Sequence, residues 1–280
     1  MKKRIVITTA LILLFLVGLS VLLYPLVSDY VNSLSQSRVI SQYSEELAQL
    51  SQADYSEIVG AAREYNQRLI SKQNRFMPSG EDLEEYHSIL DFTGRGIVGT
   101  LEIELIKVNL PIYLGTGESI LQVGMGHLEG SSLPVGGLGT HTVISGHRGL
   151  PSSTLLTNAD KLREGDVFTL NILNESLTYM IDHIVIVEPE DLSYLEIEPG
   201  KDYCTLVTCT PYGINSHRLL IRGYRIYPET DEIQSPERRV MRSDAQPVPA
   251  VAGYAIAAVP VLLVSAVYMF IKYTKRKERR

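Results

Sequence analysis

From Ile5 to Val27 the chain is apolar and carries no charge. As a helix that run spans the ~30 Å hydrocarbon core of a bilayer, which takes ~20 residues. A second apolar run covers residues 247–271. Between them the pattern changes twice. Over residues 34–72, Leu47, Leu50, Ile58, Ala61, Ala62, Tyr65 and Leu69 recur at mostly three- and four-residue spacings, which predicts helices. From Gly94 onward the apolar runs are short: 96–108, 109–115, 119–127, 141–146, 166–174, 177–188, 203–209 and 218–228. Turn clusters such as Glu164-Gly165-Asp166 and Asn174-Glu175-Ser176 separate them, and many short strands with regular turns predict an all-β barrel or sandwich.

Seven segments follow from this pattern. Residues 1–28 are a transmembrane anchor or signal-anchor, 29–72 a helical region, and 73–92 a polar, irregular loop around Pro78-Ser79-Gly80. Residues 93–230 are the β domain, 231–246 a juxtamembrane linker, 247–271 a second transmembrane helix and 272–280 a basic tail. A cleavable signal peptide is the alternative for the first segment, but no convincing small-x-small site follows near Pro25-Leu26-Val27-Ser28.

Charge sharpens the membrane reading. Lys2, Lys3 and Arg4 precede the first span, and Lys272, Lys275, Arg276, Lys277, Arg279 and Arg280 follow the second. Arg238, Arg239 and Arg242 sit on the other side of the second span but are fewer. The bias of positive charge toward the cytoplasm puts both termini inside and the β domain on the extracellular face. The residues between the two basic ends hold 17 of the 26 basic and 31 of the 32 acidic residues. Such an acidic domain is unsuited to binding nucleic-acid phosphates.

Candidate chemistry gathers in one stretch, from Thr205 to Arg218. Tyr203 to Thr208 reads as a strand, Pro211-Tyr212-Gly213-Ile214-Asn215-Ser216 as a loop, and Leu219-Leu220-Ile221 as the next strand. Cys209 ends the first strand and Arg218 opens the second. A cysteine is most often a small buried hydrophobe, yet a strand end beside a loop is where catalytic groups sit. Cys204, the only other cysteine, lies five residues back in the same strand, so its side chain points to the opposite face and a disulfide between the two is disfavoured.

The stretch Thr-Leu-Val-Thr-Cys with an arginine nine residues on resembles the active-site signature of sortases, the membrane-anchored cysteine transpeptidases of Gram-positive bacteria. Its continuation, Thr-Pro-Tyr-Gly-Ile-Asn-Ser-His-Arg-Leu-Leu-Ile-Arg-Gly, is similar to class C, the pilus-assembling branch. The resemblance extends over residues 35–275 and implies a closed eight-stranded barrel. It assigns catalysis to Cys209, His147 and Arg218, with Thr208 and Thr210 in substrate binding or oxyanion support.

A thiolate nucleophile needs a proton donor for the leaving amine, and histidine suits that role near neutral pH. Six histidines compete. His147 stands in Gly146-His147-Arg148-Gly149 at a strand end and matches the strand-Gly-His element of the sortase pattern. His141 begins the same strand and reads as structural. His217 points away from Arg218 in an extended strand and reads as surface or supporting. Arg218 offers five fixed donors to an oxyanion. Arg222 reads as a barrel or ion-pair residue, and Arg148 as solvated.

The resemblance implies cleavage of a Leu-Pro-x-Thr-Gly-like sorting signal between Thr and Gly through a thioacyl enzyme, with no metal or organic cofactor. The implied partners are pilin subunits that carry such signals and supply an acceptor lysine, and membrane lipid through two spans. Attachment of surface proteins to peptidoglycan and a non-catalytic tethered binding module are the alternatives. Class C relatives carry an Asp-Pro-aromatic lid over the cysteine. Here that tripeptide is absent, and Phe76 and Met77 are the candidates to plug the site. Lacking the motif's acid, residues 73–84 are expected to form a loosely held cover.

Overall fold

A computed structural model describes residues 2–227. The expected linker, second span and basic tail lie outside the described residues. Helix α1 (Lys2–Leu47) is continuous from the apolar run into the amphipathic stretch behind it. It is the one candidate membrane span among the described residues, and its apolar window has no packing partner. The chain then turns into α2 (Gln52–Ile70). The helix opens with a reciprocal cap: the Ser51 hydroxyl accepts from the Asp54 backbone N–H, and the Asp54 carboxylate accepts from the Ser51 N–H.

The segment expected to be an irregular loop is half helix. The same reciprocal cap, between Ser79 and Asp82, starts α3 (Gly80–Leu90). Lys72 pairs with Asp82 and Arg68 with Glu85, tying α3 to the end of α2. The Ser-Gly-Glu-Asp sequence is thus a helix start rather than a loop centre.

Eight strands follow: β1 (Ile97–Ile103), β2 (Val108–Leu114), β3 (Met125–His127), β4 (Thr140–Ser145), β5 (Val167–Ile172), β6 (Glu175–Val187), β7 (Asp202–Thr210) and β8 (His217–Ile226). They close in the order β1-β2-β3-β4-β7-β8-β6-β5, with β5 returning to β1. β2 with β3 and β4 with β7 are parallel; the other neighbours are antiparallel. The closed eight-stranded barrel expected from the resemblance is present, and the expected N-terminal helices pack on it. The run expected as a strand over 119–127 is split, with a helical turn α4 (Glu118–Leu121) before the short β3. Gly117 leads that turn, and its backbone carbonyl accepts from the N–H groups of Ile120 and Leu121.

Alternate residues fill the barrel. Leu101, Ile112, Ile144, Leu170, Tyr179, Cys204, Leu206 and Ile221 are sealed inside. Burial at this scale is worth ~1.5–3 kcal/mol per large side chain. Buried polar side chains pin α1, α2 and α3 in place. The Tyr43 hydroxyl donates to the Val98 carbonyl (2.8 Å) and accepts from the Leu173 N–H (3.1 Å). Asn66 exchanges two bonds with the backbone of Leu133 (2.7 and 3.0 Å). The Tyr86 hydroxyl lies 2.8 Å from His127 Nδ1 and accepts from the Gly115 N–H (3.0 Å).

Candidate active site

β4, β7 and β8 lie side by side, and their register sets the site. Cys209 is directly opposite Arg218 in the antiparallel β7–β8 ladder. Ser145 is level with Val207 in the parallel β4–β7 ladder. Beyond Ser145 the chain stays attached to β7: the Gly146 N–H donates to the Val207 carbonyl (3.0 Å), and the Thr208 hydroxyl donates to the Gly146 carbonyl (2.8 Å). His147 follows Ser145 by two residues as Cys209 follows Val207, so the same register carried past the strand end would set the two level. Cys209 and Arg218 share the outer face, because Val207 and Leu220, their same-parity neighbours, belong to one apolar cluster outside the barrel with Val143, Val187 and Leu195.

A thiol directly opposite a guanidinium, with an imidazole just past the end of the neighbouring strand, is a set suited to acyl transfer by a cysteine nucleophile. Residues 101–226 match the model of the Sortase domain. Among solved structures, sortase C1 from Streptococcus agalactiae is 49% identical, with a TM-score of 0.65, over 68% of this chain and 98% of that one. Sortase C of Streptococcus pneumoniae, whose structure bears on pilin substrate specificity, is 44% identical, with a TM-score of 0.60, over 68% and 97%. The chain belongs to the sortase family. Among curated relatives, Sortase D of Bacillus subtilis is 33% identical over 131 residues, which are 46% of this chain and 63% of that one. Sortase A of Streptococcus agalactiae is 32% identical over 117 residues, 41% and 47% of the two chains. The chain thus spans less than two thirds of the length of these curated relatives.

In this sortase the two cysteines differ sharply in setting. Cys204 is fully buried inside the barrel, and burial pushes its thiol well above the usual range. Cys209 is half-buried on the outer face and free. Arg218 turns toward its own loop, where Nη1 donates long bonds to the Asn215 (3.3 Å) and His217 (3.2 Å) carbonyls. Bonds of that length are easily exchanged.

The histidines separate by environment. His147 is about a quarter exposed, and its Nε2 lies 3.5 Å from the Glu118 carboxylate on α4. That carboxyl is held below its usual range, first by the Gln122 amide and then by His147. His141 is sealed: Nδ1–H donates to the Glu196 carbonyl (2.8 Å), and Nε2 accepts from the Thr205 hydroxyl (2.7 Å). Burial holds it neutral and pushes its pKa down to about 4. His127 is equally buried and also pushed down to about 4, with Nε2 against the Ser132 carbonyl (2.8 Å). His217 faces Glu188 at 3.2 Å on the surface.

Other expectations are met unevenly. Thr208 and Thr210 are buried with the opposite parity to Cys209. Thr208 anchors the His147 turn, while Thr210 lines an open cavity of about 600 Å³ with Arg148, Asp160, Ile184, Ile186 and Leu219. Neither hydroxyl shares the cysteine's face. Arg222 forms a two-bond pair with Asp182 (3.1 and 2.8 Å) and stacks on Tyr203, the barrel role expected of it. Arg148 is not solvated as expected: its side chain is 8% exposed and pairs with Asp160 at 2.9 Å.

The segment before α3 lies over the apolar cluster. Phe76 packs against the group of Val143, Val187, Leu195 and Leu220, on the face that carries Cys209. Met77 is 84% exposed and plugs nothing. The hold on Phe76 comes from a residue that sequence reasoning passed over. Arg75 is 6% exposed, lies over the Phe76 ring at 4.2 Å, and donates to the Gly130 carbonyl (3.1 Å), the Leu195 carbonyl (2.8 Å) and the Glu196 carboxylate (3.2 Å). Gly130 admits this approach because a Cβ there would lie 2.0 Å from the Arg75 carbonyl oxygen. Three Arg75 hydrogen bonds tie down the segment expected to be a loosely held cover. An arginine replaces the missing acid as the fixing group, and no local pattern marks it as buried.

Proposed function

We propose that this sortase is a membrane-anchored cysteine transpeptidase that cleaves a Leu-Pro-x-Thr-Gly-like signal and joins the acyl group to a pilin lysine. The observation that supports the reading is the Cys209–Arg218 rung at the end of β7 and β8, with His147 two residues past the end of the neighbouring β4. The Cys209 thiolate attacks the threonine carbonyl carbon. The oxyanion that forms is met by the Arg218 guanidinium and backbone N–H groups. The His147 imidazolium gives its proton to the departing glycine nitrogen, and the C–N bond breaks to leave a thioester on Cys209. A lysine amine then attacks the thioester carbonyl, its proton passes to His147, and the thiolate leaves as the isopeptide bond forms.

The outer apolar face of Val143, Val207 and Leu220 supports a peptide lying along β4, β7 and β8 beside the nucleophile. The segment carrying Phe76 occupies that face and must move for a peptide to enter. The high identity to class C structures favours a pilin lysine over a cell-wall acceptor. The test is to incubate the full chain in detergent with a sorting-signal peptide, then add a lysine-bearing pilin domain or a peptidoglycan cross-bridge peptide. A Cys209 thioester resolved by the pilin lysine is the expected result. Resolution only by the cross-bridge would replace the acceptor, and no thioester would remove the enzyme reading altogether.

A further inference from the structure

The loop after β4, at the active-site end of the barrel, is bonded to α1 just past its apolar run. The Asp29 carboxylate accepts from the Thr154 N–H at 2.6 Å, and the Asn32 amide donates to the Ser152 carbonyl at 2.8 Å. Asp29 is two residues beyond Val27, a rise of ~3 Å along a helix at ~1.5 Å per residue. The polar layers of a bilayer add roughly 5–7 Å on each side of its core. With α1 as the anchor, residues 152–154, five to seven positions after His147, would be tied to it at the depth of the lipid headgroups.

A second loop stands against the first. Gly149 packs so closely on Tyr212 that a Cβ at position 149 would lie 2.9 Å from the ring. Tyr212 is nonetheless 58% exposed and Ile214 72% exposed, and Pro151 is exposed beside them. On the α1 side Val31 is 56% exposed. Arg148, under the same loop, is spent on Asp160. Apolar side chains at a membrane boundary, with aromatic rings among them, sit well in the headgroup layer.

We propose that the loop after β7, through Tyr212 and Ile214, and the loop after β4, through Pro151, rest on the lipid surface beside α1. The barrel is then held to the bilayer at its active-site end, with the Cys209 row close to the membrane. This rests on α1 acting as the membrane anchor under the proposed function.

The sequence contains no tryptophan, so one introduced indole is a unique reporter. Ile214→Trp and Leu138→Trp are compared in the full chain in phosphatidylglycerol nanodiscs, with and without brominated acyl chains. Leu138 is 78% exposed and precedes β4 at the opposite end of the barrel, roughly 20 Å from His147 by strand rise. The expected result is at least twofold bromine quenching of the Ile214→Trp indole and little change for Leu138→Trp. Equal quenching of the two overturns the proposal, as does an Ile214→Trp indole shielded only when a sorting-signal peptide is added. A chain not retained in the discs overturns the anchor reading and the proposal together. Thioester formation on the same samples tells those failures from failure of the transpeptidase reading.

Discussion

Cys209 and Arg218 are direct cross-strand partners in the β7–β8 ladder. A spacing of nine residues in sequence becomes one rung in space. Cys209→Ala is expected to abolish thioester formation while keeping an unfolding midpoint near that of the parent, because the side chain is small and half-buried. Arg218→Lys keeps the charge but loses the planar fork. A fall in kcat of about 10²-fold is expected, the scale seen on losing an oxyanion donor. Near-parent turnover by Arg218→Lys would take the guanidinium out of the chemistry.

His147 and His141 share one strand and its extension but should fail differently. His147→Ala is expected to remove turnover and leave stability nearly unchanged. His141→Ala leaves the Glu196 carbonyl and the Thr205 hydroxyl without their partner, at a cost of ~1–3 kcal/mol for each group left buried and unpaired. Its activity per folded molecule should remain high. Denaturant midpoints and turnover measured on both variants check this, and equal loss of turnover would erase the distinction.

Arg75 fixes the cover that carries Phe76. Arg75→Ala removes its three hydrogen bonds and is expected to raise thiol-reagent labelling of Cys209 at least tenfold, equivalent to ~1.4 kcal/mol in the opening equilibrium. Gly130→Ala should act the same way through its clash with the Arg75 backbone. Cys204 is sealed in the core, so the signal belongs to Cys209. Unchanged rates in both variants would mean that the cover is held elsewhere.

Stability should fall on mild acidification. His127 and His141 are pushed down to about 4 by burial, whereas an unfolded histidine titrates near ~6.5. Below that value the unfolded chain takes up protons that the folded chain refuses. The contribution is complete above pH ~6.5 and is lost as pH falls toward 4. At pH 5 the loss is roughly 2 kcal/mol per histidine at 1.36 kcal/mol per unit. Urea midpoints at pH 7 and pH 5 test this, and His141→Gln should reduce the difference. A flat profile would contradict neutral burial of both rings.

Much of this sortase was legible along the chain. Strand runs, turn clusters and the apolar first span are local patterns, because side-chain periodicity reports the face that must be buried. The short strands and the strand-end cysteine could therefore be found without coordinates, while the choice of a closed barrel over a sandwich and of the Gly-His turn as catalytic came from the resemblance to sortases. Two local signals were misassigned. Ser79 and Asp82 form a helix cap inside the supposed loop, and α4 interrupts the run after Gly117.

By itself the sequence determined which residues alternate in and out, where the chain turns, and which groups can act as nucleophile, acid and oxyanion donor. It did so because these depend on residue type and near neighbours. Only the tertiary structure decided the order of strands around the barrel, the Cys209–Arg218 rung, and the sealing of His141. It alone buried Arg75 beneath the cover and bonded Asp29 and Asn32 to the loop after β4. Those pairings join positions up to 125 residues apart. Their energy comes from desolvated groups meeting at fixed distances, which no local periodicity encodes.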